Sequence, residues 1–178
     1  MDIAKISKCG TILQFNKGDS ICIQNEPGET AYMLLSGKAK VFVGDREMAE
    51  LKAGTLFGEM SLLENLPRSA TVTAYSNEIS VLEIGKNDFI GLMQTDNDIA
   101  YNLLRMLYTR VEDSLEKYQG YLIKLRADII NDEKYKIITR LSSDQFSSIV
   151  NKDPKYAVNL LSYLSHTLAK INKKVGTI

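Results

Sequence analysis

Histidine occurs once in this 178-residue chain, cysteine twice and tryptophan not at all. Cys9 and Cys22 have no spaced Cys/His set around them, which excludes a disulfide scaffold and a zinc module. Both read as reduced cysteines of a cytoplasmic protein, and Cys22, inside Ile21-Cys22-Ile23, reads as core. No stretch approaches the roughly 18–20 apolar residues that span a bilayer. The opening MDIAKISKCGTILQF has no continuous apolar region, so neither membrane nor secretory targeting is expected. A catalytic triad spacing, a Walker loop and a kinase signature are all missing. His166 has no partner pattern and reads as a helix-surface residue. Adjacent acids such as Glu112-Asp113 cannot face each other on a helix. An enzyme is therefore not expected, and neither is a metal.

Charge of one sign is also lacking. Lys+Arg and Asp+Glu both number 22, which argues against a polycation. The distribution is uneven, with 12 basic against 17 acidic residues over 1–119 and 10 against 5 over 120–178. Hydrophobic residues at 44% can build a core.

Two textures meet near residue 85. Before it, short apolar runs predict strands at Ile12–Phe15, Ser20–Gln24, Tyr32–Leu35, Lys38–Val43, Met48–Leu51, Ala70–Ala74 and Ile79–Ile84. Segments such as Pro27-Gly28-Glu29, Ser36-Gly37 and Lys52-Ala53-Gly54 read as turns. Many short strands without βαβ alternation predict a sandwich or barrel. After residue 85 helical spacing takes over. Lys86–Met93 reads as a short helix. Asp96 or Asn97 can cap a long one, whose apolar spacing runs through Leu104, Leu107, Val111, Tyr118, Leu122 and Leu125 to about residue 128. Its length would be about 48 Å at 1.5 Å per residue. Lys134–Leu141, Ser143–Val150 and Lys155–Lys173 read as further helices.

The helical half also contains a repeat. Shifted by 57 residues, Phe89, Asp96, Ala100, Asn102, Leu103, Leu104 and Leu107 meet Phe146, Asp153, Ala157, Asn159, Leu160, Leu161 and Leu164, seven identities in 19 positions. Leucine periodicity does not require the matches at Asp96 and Asn102.

The segment richest in chemistry is Phe57-Gly58-Glu59-Met60-Ser61-Leu62-Leu63-Glu64-Asn65-Leu66-Pro67-Arg68-Ser69-Ala70-Thr71. Gly58 at a strand end opens one short helix, Glu59–Glu64, and allows close approach to the backbone. Pro67 stops the helix, and Arg68 follows where its fork can pair with an anion. Glu59 beside an anion makes sense if it accepts a hydrogen bond from a ligand hydroxyl, as acidic residues do from a ribose 2′-OH. A structural Glu59–Arg68 ion pair is the alternative. Phosphate and 2′-OH recognised together imply a compact nucleotide with its phosphate folded onto the sugar.

This stretch resembles the phosphate-binding cassette of the cyclic nucleotide-binding domain family, whose pattern is approximately F-G-E-x-[AS]-L followed by R-[AST]-A. Gly18-Asp19, Glu26-Pro27-Gly28-Glu29, Tyr32 and Ser36-Gly37 resemble its strand-and-turn pattern, and the likeness covers about residues 10–125. The resemblance implies an α+β fold: an antiparallel, jelly-roll-like β-roll of about eight strands, a hinge helix, a long C-terminal helix and here an extra helical tail. The expected division is 1–128 for the binding domain and 129–178 for a helical extension. The resemblance further implies that Glu59 binds the ribose 2′-OH and Arg68 the cyclic phosphate. Gly58, Met60 and Ser61 would add backbone or hydroxyl contacts, Ser69 would touch phosphate or base, and Val41 would line the base pocket.

On the long helix, Val111, Ser114 and Tyr118 are the expected base-side residues. Ser114 back-bonding to its own helix and Tyr118 packing in a seam are the competing uses. Ser69, where cGMP-preferring members carry threonine, implies cAMP as the ligand, with cGMP as the alternative. The expected function is a cyclic nucleotide sensor or regulatory module without catalysis. The alternatives are a transcription regulator with a DNA-binding tail, or a regulatory subunit of a separate enzyme. The would-be recognition helix KYAVNLLSYLSHTL offers few groups to base edges, which argues against DNA. A homodimer through residues 100–126 is expected from the near-3.5 spacing of the apolar stripe. The tail is expected to pack on the long helix as an antiparallel cap.

Overall fold

The computed structural model describes Ile6 and residues 9–176, and it divides into two compact units, Met1–Phe89 and Ile90–Ile178. In the first, eight strands run in chain order: β1 Thr11–Asn16, β2 Ser20–Cys22, β3 Thr30–Ser36, β4 Lys38–Val43, β5 Arg46–Lys52, β6 Leu56–Phe57, β7 Thr71–Ala74 and β8 Glu78–Gly85. A single helix, α1 (Glu59–Glu64), interrupts them between β6 and β7. The strands form two four-stranded antiparallel sheets, ordered β1-β8-β3-β6 and β2-β7-β4-β5. The fold is the expected α+β β-roll, built as two facing sheets and not as a closed barrel.

The burial follows position in the sheet. β3 lies between β8 and β6 and reads as a continuous apolar run, with Ala31, Tyr32, Met33 and Leu34 all buried. β5 is an edge strand and stays mostly exposed. Side chains from both sheets meet in one cluster that includes Ile21, Leu34, Ala39, Val72, Ile79 and Val81, with Val41 packed against it. At about 25 cal/mol per Å² of apolar area, such burial is the main stabilising term. The seven expected strands are present within a few residues. β6 was not expected, because two residues carry no periodicity.

The helices that follow are α2 Lys86–Thr95, α3 Asn97–Lys117, α4 Ile123–Asn131, α5 Glu133–Arg140, α6 Ser143–Val150 and α7 Lys155–Val175. Asp96 caps α3 by accepting from Ile99 N at 3.0 Å. Ser142 and Gln145 form a capping box at the start of α6.

The long helix ends about eleven residues earlier than expected, at Lys117. Residues 118–122 form a turn in which Tyr121 N and Leu122 N both donate to Tyr118 O. Gly120, a poor helix former, sits inside it. The helix is therefore about 32 Å long at 1.5 Å per residue. The apolar spacing misled because it continues through the turn: Leu115 and Leu122 are both buried on either side of it.

Within the second unit α3 packs along α7 and against α6. Leu104, Leu107 and Val111, expected at a seam between two chains, are fully buried in the single chain. The two long helices run in the same direction. Asn97 Nδ2, at the start of α3, donates to Asn151 Oδ1, just before α7, at 2.9 Å. Further along, neighbouring residues of α5 reach both helices: Tyr135 bonds Glu112 of α3, and the Lys134 ammonium lies over the Tyr163 ring of α7. The antiparallel cap expected for the tail is thus replaced by a parallel arrangement. Among the described residues no helix is long and apolar enough to cross a membrane, and no cluster of His, Cys, Asp and Glu could hold a metal ion.

Candidate functional site

The loop that leaves β6 makes the site. Phe57 ends the strand, buried and stacked on Tyr32 with ring centroids 5.4 Å apart. Gly58 then adopts φ 76°, the left-handed conformation that glycine tolerates best, and turns the chain into α1. The first residue of α1, Glu59, is fully buried. Met60 and Ser61 are buried as well. Asn65, at φ 51°, ends the helix, and Pro67 leads into Arg68.

Arg68 is only 5% exposed, which for an arginine demands partners. Its Nη1 donates to Thr30 O at 2.7 Å and to Gly58 O at 2.9 Å, and its Nη2 donates to Thr30 Oγ1 at 3.0 Å. The guanidinium also lies over the Tyr32 ring, 5.2 Å from its centroid. The backbone of Arg68 is pinned too: its N–H donates to Glu26 O at 2.8 Å, and its carbonyl accepts from Asn25 N at 2.9 Å.

A guanidinium has five N–H donors. Three are engaged by Thr30 and Gly58, and all the acceptors are neutral. The Nε–H and the second Nη2–H make no hydrogen bond among the described residues, and together they form a two-pronged edge of the kind that grips two oxygens of one anion. Two glycines make room for this arginine. A Cβ on Gly58 would come within 2.7 Å of Nη1, and a Cβ on Gly28 would collide with Nε. Any side chain at Gly28 would therefore crowd the free edge.

Cys22 is half-buried near the cassette, and its Sγ lies 3.9 Å from Ala70 O. Burial pushes its thiol above the ordinary value, against a smaller opposing pull from the Arg68 charge.

The structure brings Gly58, Glu59, Met60, Ser61, Arg68 and Ser69 into one cassette. Ser69 Oγ approaches Met60 Sδ at 3.7 Å, a weak contact that leaves the hydroxyl adaptable. Val41 lies on β4, paired with Val72 of β7 and Ala49 of β5. Val111, Ser114 and Tyr118 lie in the second unit. Val111 is fully buried, Ser114 Oγ donates to Arg110 O at 2.7 Å within its own helix, and Tyr118 ends α3 with the Lys117 ammonium 5.3 Å from its ring centre. His166 is on the exposed face of α7. Thr30 was missed by sequence reasoning. It stands 38 residues from Arg68, and only the placement of β3 beside β6 brings them together. Its one sequence signal was its place directly after Pro27-Gly28-Glu29.

Residues 12–96 match the family model of the cyclic nucleotide-binding domain. This segment belongs to that family. Over 90 residues, 51% of this chain, it is 39% identical to a cAMP-dependent protein kinase regulatory subunit of Hypocrea atroviridis, and the match covers 19% of that protein. Over 69 residues, 39% of the chain, it is 44% identical to a cGMP-dependent protein kinase of Toxoplasma gondii, covering 7% of it. A solved structure described as Sp-2Cl-cAMPS bound to PKAR CBD2 superposes with TM-score 0.50 at 27% identity, over 68% of this chain and 75% of that one. The chain thus spans only a small part of the curated relatives it matches.

Proposed function

We propose that the chain is a cyclic nucleotide sensor, a binding and regulatory module that performs no chemistry on its ligand. The observation that carries the reading is the state of Arg68: buried, fixed by Thr30 and Gly58, and keeping a two-donor edge beside Gly28. Two donors left on one edge of a fixed guanidinium can pair with two oxygens of one phosphate. Glu59, the residue directly after Gly58, would accept a hydrogen bond from the ribose 2′-OH. Arg68 would take the cyclic phosphate, with Ser69 at the phosphate or base and Val41 along the base.

We favour cAMP over cGMP, because Ser69 stands where a threonine would suit guanine better. Binding would shift a two-state equilibrium of the helices that follow. The output would reach a separate protein target, not DNA. Two kinds of relative, one named for cAMP and one for cGMP, support a cyclic nucleotide ligand and leave the choice of base to experiment.

Calorimetry with cAMP and cGMP in parallel tests this. Binding of cAMP at micromolar or tighter dissociation constants is expected, with cGMP weaker. Arg68→Ala should cost about 2–5 kcal/mol, from about 25-fold to several thousand-fold in affinity. Glu59→Ala should weaken cAMP but hardly change binding of its 2′-deoxy analogue. Equal cAMP affinity in Arg68→Ala and the parent would sink the assignment.

A further inference from the structure

The helical half holds two copies of one motif. In each, a short helix with a buried phenylalanine (Phe89 in α2, Phe146 in α6) leads through an aspartate into a helix of 21 residues. In both copies the aspartate accepts from a backbone amide at the start of the long helix, Asp96 as its N-cap and Asp153 from one position before the Pro154 N-cap. Asp96 accepts from Ile99 N, and Asp153 Oδ1 accepts from Lys155 N at 3.1 Å. The equivalent leucines Leu104 and Leu161, like Leu107 and Leu164, are all buried at 1% exposure or less. The exposed asparagines at 102 and 159 match too, although solvent places no such demand.

These copies are not merely similar. They sit on each other: the broadest helix-to-helix contact of the second unit is between α3 and α7, the long helices of the two copies. They lie parallel, joined near their starts by Asn97 and Asn151. A long helix whose buried stripe packs on a copy of the same stripe presents a self-complementary face. Such a face on a chain with one copy brings two chains together. Here the second copy is already covalently attached, at high effective concentration.

We propose that α6–α7 is a duplicated α2–α3 unit that serves as the internal mate of α3. It occupies in one chain the pairing face that a second chain would otherwise take. The occupant of the α3 stripe is therefore residues 143–175 of the same molecule, and the homodimer expected through 100–126 is replaced by a pair within one chain. The chain then carries its binding cassette as a single copy per particle.

The test uses the full-length protein with Cys9→Ser and Cys22→Ser, into which Asn97→Cys and Asn151→Cys are placed. A short bismaleimide should link the two positions within one chain, giving a faster-migrating species on a denaturing gel with the mass of one chain plus one linker. Tagged and untagged chains, mixed before reaction, should give no cross-linked hybrid. A covalent dimer or a tagged–untagged hybrid as the main product would overturn the proposal, since the tail would then be packing on another molecule. So would the absence of any 97–151 product in a chain whose circular dichroism matches the parent. A cassette that fails to bind nucleotide leaves this experiment unaffected.

Discussion

Thr30 grips Arg68 twice, its carbonyl accepting from Nη1 at 2.7 Å and its hydroxyl accepting from Nη2 at 3.0 Å. The end of the guanidinium is thereby spent on the protein, and the side edge stays open. Thr30→Val keeps the shape and the carbonyl but loses the Oγ1 acceptor. A hydrogen bond to a charged group is worth about 1.5–3 kcal/mol. Because Arg68 can still use its other bonds, we expect the lower end, about tenfold weaker cAMP binding by calorimetry with little change in melting temperature. Unchanged affinity would mean that Thr30 does not fix the arginine for the ligand.

Gly28→Ala is a sharper probe of the open edge. Its Cβ would meet the Nε, Cζ and Cδ atoms of Arg68, which must move. Displacing a positioned charge-assisted pair should lower cyclic nucleotide affinity at least tenfold. Gly28 lies on the loop before β3, outside the sheets, so thermal unfolding should shift by a few degrees at most. Tight binding by Gly28→Ala would show that the Nε edge is not the anion contact.

The thiol of Cys22 gives a chemical readout of the same neighbourhood. Its folded pKa is raised above the ordinary 9.0, by burial first. Little thiolate exists at pH 8, so iodoacetamide should label Cys22 far more slowly in the folded chain than in guanidinium. The sign for stability follows. Cys22 contributes fully below about pH 9, and its contribution is lost as pH rises through the folded value. The Arg68 charge pulls the thiol down, so a phosphate that neutralises it should slow labelling further. Labelling at the rate of an unfolded thiol, measured by mass spectrometry, would contradict this.

Tyr135 ties α5 to α3 through Glu112, and its ring lies 5.6 Å from that of Tyr108. Burial first, then the Glu112 carboxylate, raises its pKa well above the usual tyrosine range. It therefore stabilises the fold below about pH 10 and loses that contribution as pH rises above it. Tyr135→Phe should cost about 1 kcal/mol at neutral pH, since Glu112 is exposed and can turn to water. It should also flatten the fall in denaturation midpoint between pH 9 and 11. An unchanged alkaline profile would remove Tyr135 from that role.

The local rules of this chain are written in its sequence. Alternating apolar residues and glycine-containing turns determined seven of the eight strands, because each side chain's face follows from a period of two. The string from Phe57 to Thr71 determined the short helix and its flanking glutamate and arginine, since glycine, helix and proline act within a few residues. The Asp96 cap was legible for the same reason. Other features needed three dimensions. The two-residue β6 exists only because β3 offers it a ladder. The end of α3 at Lys117 is invisible in the apolar spacing, which runs on through the turn to Leu122. Thr30 and Gly28 join Arg68 only when the strands are placed. The parallel lie of α3 and α7 depends on the packing of residues more than fifty positions apart, with Asn97 bonded to Asn151 near the helix starts. Periodicity tells a residue which face it occupies, and only packing decides what that face meets.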